Sequence, residues 1–267
     1  MDGSGAYKIP YNYSEAGQFH EGRAIVDYQN CMGAIDAAGN LSVPNKYKYL
    51  GMFSEGKAYA ADFKSWLGFI GLNNETIISP RYAATGIFIN GFAVAMDTVN
   101  FMFGHIDPSG EFRIPPVMQD AQPFWEGLAA VKVDGKWGFT DTLGNMVVSP
   151  TYDDVLGGFC EGMAGIRMNE KWGYIDKTGQ VIIQPQFKEC DVFYCGRAMV
   201  LLDDDHLAYT DKTGKIIWKS PIRVLKSSGD APMIRKDFEK YIQVRAVSDR
   251  AEPRLAGISG HQIFNTQ

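Results

Sequence analysis

Two stretches of this chain are near copies of each other: DGKWGFTDTLGNMVVSPTYDDV at 134–155 and NEKWGYIDKTGQVIIQPQFKEC at 169–190, offset by 35 residues. Extending that register finds six copies, which begin at Phe19, Phe53, Phe88, Phe124, Phe159 and Phe193, in steps of 34 to 36 residues. A glycine follows three residues later in each copy, from Gly22 to Gly196. A second glycine recurs at Gly33, Gly68, Gly104, Gly138 and Gly173, with Ala208 in the sixth copy. A proline closes most copies: Pro44, Pro80, Pro115, Pro150 and Pro185. Pro10 precedes Phe19 by the same nine residues as Pro150 precedes Phe159, so residues 7–18 read as the tail half of a further copy. A unit this short cannot bury its own faces, so a chain of such units is constrained to a stacked array in which neighbours supply one core.

Within the fifth copy, MAGIRM (163–168), KWGYID (171–176) and QVIIQ (180–184) are short β-branched and aromatic runs separated by Asn, Asp and Gly. Such runs predict antiparallel hairpins. In D-K-T-G the aspartate suits the start of a turn and the glycine a left-handed closing residue. The aspartate place is held by Asp36, Asp107, Asp141, Asp176 and Asp211, with Gly71 in the second copy, where Asn74 replaces the closing glycine. Pro185 is expected to end the third run, with room for a fourth short strand after it. The glycine inside the second run implies a bulge or a close backbone approach. The residues before it (Met32, Leu67, Phe103, Trp137, Trp172, Leu207) are all apolar, which favours packing between repeats over an aromatic ladder for a ligand.

The succession F-x-E-G-L-A-x-V, K-W-G-Y-I-D-x-x-G and I-I-x-P-x-Y resembles the WG-repeat family of bacterial proteins. It is closest over Phe124–Tyr152 and Phe159–Phe187; the first three copies lose the Trp, and the sixth loses Trp and Gly. The resemblance covers about residues 7–226. It implies an interaction module and carries over no single activity and no catalytic residue.

The expected fold is all-β: six tandem hairpin repeats in a domain over 1–226. The leading expectation is that they close as a six-bladed β-propeller, with an open twisted array as the alternative. In residues 227–267 the repeat markers vanish. Asp230-Ala231-Pro232 resembles a helix start, and Met233, Ile234, Phe238, Tyr241 and Ile242 share one helical face, so a short helix packed on the repeats is expected there. A net charge of −5 argues against a dedicated nucleic-acid binder. No run of apolar residues approaches a membrane-spanning length. Four cysteines without a CxxC pair read as reduced thiols and a cytoplasmic setting.

No GxSxG elbow, HExxH motif or Gly-rich phosphate loop is present. No metal site and no cofactor are expected. The acid/base candidates are Asp97, His105, Asp203 and Asp204, residue types that move protons near neutral pH. The sharper signal is divergence among copies. The connection between the first two long strands of a copy is plainly polar in copies four to six. Copies one to three place Tyr28, Phe63, Trp66, Phe101 and Phe103 at or beside it. Apolar side chains at hairpin tips suggest one binding face for a protein partner or small-molecule ligand. The leading expectation is therefore a non-enzymatic binding scaffold. The alternative is an enzyme acting on a small apolar or carbohydrate molecule in a central pocket.

Overall fold

The computed structural model describes residues 13–63 and 66–224. They form six four-stranded antiparallel sheets, each a simple meander. The first sheet holds β1 (Glu15–His20), β2 (Arg23–Tyr28), β3 (Cys31–Asp36) and β4 (Leu41–Tyr47). The second holds β5 (Tyr49–Leu50), β6 (Lys57–Ala61), β7 (Leu67–Gly71) and β8 (Thr76–Tyr82). The third holds β9 (Ala84–Thr85), β10 (Ala93–Met96), β11 (Phe103–Ile106) and β12 (Phe112–Met118). The fourth holds β13 (Asp120–Ala121), β14 (Leu128–Val133), β15 (Lys136–Asp141) and β16 (Met146–Tyr152). The fifth holds β17 (Asp154–Cys160), β18 (Met163–Met168), β19 (Lys171–Asp176) and β20 (Val181–Phe187). The sixth holds β21 (Glu189–Cys190), β22 (Arg197–Leu201), β23 (His206–Asp211) and β24 (Ile216–Arg223). The helix expected in 227–267 lies outside the described residues.

Two expectations about the repeat need correction. The last strand does not end at its proline: β20 runs through Pro185 to Phe187. It is the edge strand of its sheet, where a residue without an N–H leaves no ladder bond broken. The short strand expected after the proline exists, as β21, but it pairs forward with β22 and so opens the next sheet.

The turn expectation holds in detail. Asp176 Oδ1 accepts the backbone N–H of Thr178 (2.9 Å) and of Gln180 (3.0 Å), and Gly179 closes the turn at φ +86°. Asn74 takes the same left-handed geometry at φ +67°. The WG glycine is a close approach. A Cβ on Gly173 would stand 2.7 Å from Pro185 N and closer still to the Ile183 carbonyl oxygen. The β19–β20 register skips there, from Trp172↔Phe187 to Tyr174↔Ile183. In the sixth sheet, where Ala208 replaces glycine, the skip persists, from His206↔Arg223 to Ala208↔Lys219, so Ala208 itself pairs with Lys219.

The core lies between consecutive sheets. Each sheet turns an exit face toward the next repeat and an entry face toward the previous one. In the fifth sheet the exit face presents Tyr174, Ile183 and Phe187, which pack on Phe193, Ala198, Val200 and Ala208 of the sixth. The same cluster recurs at the four earlier junctions. Burying a side chain of this size contributes about 1.5–3 kcal/mol. In four copies the residue before the first-marker glycine adds a polar seam. Glu21, Glu55, Glu126 and Glu161 each accept the backbone N–H of the corresponding glycine one repeat on: Gly56 (2.9 Å), Gly91 (3.1 Å), Gly162 (3.1 Å) and Gly196 (2.9 Å).

Candidate binding surface

The connection between the second and third strands forms one tip of each sheet. In the first, fourth and fifth sheets it is a two-residue turn: Gln29-Asn30, Asp134-Gly135 and Asn169-Glu170, all at positive φ. In the second and third sheets it is longer, spanning 62–66 and 97–102. The tips of the first three sheets carry the expected apolar side chains in the open. Tyr28, Phe63, Trp66 and Phe101 are between 45% and 58% exposed. Val99, which the sequence pattern gave no reason to single out, is more exposed still. Phe103 is different: it begins β11 and packs on the cluster between the third and fourth sheets.

The third tip is a built loop. Asp97 Oδ2 accepts the N–H groups of Val99 (3.0 Å) and Asn100 (3.3 Å). Asn100 Oδ1 accepts the N–H of Met102 (3.0 Å), and its Nδ2 donates to the Pro116 carbonyl oxygen (2.9 Å). This bracing holds Phe101 at φ +55°, where Gly or Asn would be expected. A bulky residue kept in that conformation with its ring in solvent gains neither burial nor turn propensity, and such strain clusters at ligand clamps and functional sites.

The acid/base candidates are dispersed. Asp97 serves the turn just described. His105 pairs with Val94 of β10, three residues before Asp97, which is about 10 Å. His105 is fully buried against the Phe124 ring, with centroids 4.7 Å apart, and its Nε2 lies 2.9 Å from the Gln122 carbonyl oxygen. Tyr174 fills the matching place in the fifth sheet, its hydroxyl donating to the Asp191 carbonyl oxygen at 2.7 Å. Nδ1 of His105 has no partner, and burial pushes the ring's pKa down. Asp203, Asp204 and the neighbouring Asp205 sit at the sixth tip, ion-paired with Lys171, Lys219 and Lys188 respectively. The Lys219 contact does most to hold the Asp204 carboxyl well below the usual range. A cleft of about 210 Å³ lined by Lys46, Asp62, Thr76 and Pro80 contains none of the four candidates. Among the described residues no three His, Cys, Asp or Glu side chains converge as a metal site would require, and no helix is long and apolar enough to cross a membrane.

The family model described as WG containing repeat matches the chain six times, over residues 1–30, 32–61, 68–97, 103–137, 137–172 and 172–204. No curated protein matches. Among solved structures, BamB from Moraxella catarrhalis is similar at a TM-score of 0.48 and 12% identity, over 78% of this chain and 73% of that one. Hsv2p of Kluyveromyces lactis is similar at a TM-score of 0.47 and 8% identity, over 74% and 75%. The designed protein Ika8 is similar at 0.48 and 10%, over 78% and 74%. Scores below 0.5 at this identity say nothing about what the chain binds.

Proposed function

The chain belongs to the WG-containing repeat family, and on that premise we propose that it is a binding module that holds a protein partner on the tips of its first three repeats. The observation that carries this reading is the contrast along one array. The same tip that is short and polar in the fourth and fifth sheets is aromatic and exposed in the first three, and lengthened in the second and third. Exposed Trp, Tyr and Phe dominate interface energies, and Phe101, on a braced loop, loses little conformational entropy on contact. The scaffold supplies rigidity; the tips supply the contacts.

Affinity capture with the immobilised chain, followed by titration of the captured partner, tests this. Trp66→Ala and Phe101→Ala are each expected to weaken binding by about 2 kcal/mol, roughly 30-fold. Their melting temperatures should stay within a few degrees of the parent, because both side chains lie in solvent. Normal binding by both folded variants would place the contact surface elsewhere, and unfolding of both would make these aromatics part of the core.

A further inference from the structure

Among the described residues, no further sheet covers the exit face of the sixth sheet. In the five earlier sheets, the place of Trp218 is taken by Val43, Ile78, Ile114, Val148 and Ile183, and that of Ile222 by Tyr47, Tyr82, Met118, Tyr152 and Phe187. All ten are at most 9% exposed. Trp218 and Ile222 are 48% and 68% exposed. Met199 and Tyr209 complete the face, with the Tyr209 and Trp218 ring centroids 5.6 Å apart. Among the described residues, no buried cluster forms on it.

We propose that this face pairs with the same face of a second copy of the chain, about a two-fold axis. Three observations choose that occupant. First, the face continues an established kind of interface: five times over, its equivalent is buried against another sheet of this chain. Second, the opposite end of the array is already occupied. Tyr13 packs on Ala24, Val26 and Ile35, the entry face of the first sheet, so a second copy does not offer a free entry face for head-to-tail docking. Third, the sixth face is not shaped for an ordinary entry face. At the fifth junction the Ile183 side chain comes within 3.3 Å of where a Cβ on Gly214 would stand, which leaves room for one aliphatic side chain. The tryptophan in that place is larger than the valine or isoleucine that all five earlier junctions hold. Two identical faces can instead offset their Trp218 rings against each other. Met, Tyr and Trp are the residue types enriched at interface centres, and an isologous pairing closes at two copies.

Sedimentation velocity of the full chain over a wide concentration range tests the proposal. The expected result is a single step from one to two chain masses. Trp218→Asp and Ile222→Asp should each raise the dimer dissociation constant about 30-fold or more while leaving circular dichroism and melting of the monomer unchanged. A wild-type chain that stays monomeric throughout would overturn the proposal. So would species that grow beyond two copies, which would mean head-to-tail addition, or dimers that persist in both variants. If Trp218→Asp alone fails to fold, Ile222→Asp decides the question; if neither variant folds, the face is core and the proposal fails. Tip variants such as Phe101→Ala should leave the dimer intact, so this test and the partner-binding test fail independently.

Discussion

At Gly138 and Gly173 the constraint is distance. A Cβ at either place would stand within 2.8 Å of the proline nitrogen on the neighbouring edge strand. Gly138→Val and Gly173→Val are each expected to cost about 2–3 kcal/mol in chemical denaturation. Ala208→Gly should cost no more than about 1 kcal/mol, since the sixth sheet has already accommodated a side chain. His105 makes a different prediction. Its pKa is lowered by burial, so the folded state resists the proton that the unfolded chain accepts near 6.5. The corresponding stability is fully present above that value and is lost as pH falls below it. Denaturation midpoints measured between about pH 7 and 5 should therefore decline, and His105→Phe, which installs the residue found at Phe69 and Phe139, should flatten that slope. Phe101→Gly relieves the φ +55° backbone and should gain up to about 1 kcal/mol of stability while weakening partner binding. The WG glycine and the turn aspartates were legible in the sequence because each repeats with its spacing intact. The buried place of His105 was not, since one imidazole among phenylalanines and tyrosines reads equally well as chemistry or as packing.

At the scale of the element, the hairpins could be read because their turns carry Asp, Asn and Gly at fixed places. Which sheet the first short strand belongs to could not. A two-residue strand such as β21 has no periodicity, and its partner is chosen by the sheet ahead of it. The glutamate seam was equally hidden, since F-x-E-G repeats in the sequence without revealing that its carboxylate reaches 35 residues forward. Glu161 shows what it does. The Gly196 N–H first, and Lys212 beside it, hold its carboxyl below the ordinary glutamate range. That contribution is present above about pH 4.5 and is lost as pH falls through the folded value. Glu161→Ala should cost about 1 kcal/mol at neutral pH, read by thermal melting, and the difference from the parent should shrink in acid.

At the scale of the whole molecule, each sheet is described by its two neighbours, and stability of such an array is close to a sum of units and junctions. One junction is built differently. Where Glu21, Glu55, Glu126 and Glu161 reach forward, the third repeat has Asn90, whose amide donates instead to the Phe124 carbonyl oxygen at 2.9 Å. The same junction buries His105 with an unpartnered nitrogen. Two neutral or unsatisfied contacts therefore meet at the boundary between the three repeats with aromatic tips and the three without. In a linear chain of coupled units, cooperativity fails first at its weakest link. Native-state hydrogen exchange should then resolve two separately opening blocks divided near residue 120, with opening of this junction becoming easier below pH 6.5, where His105 takes up a proton only once it is exposed. A partner clasped across the first three tips would stiffen only the first block, so that binding would be felt as protection on one side of this seam and as nothing on the other.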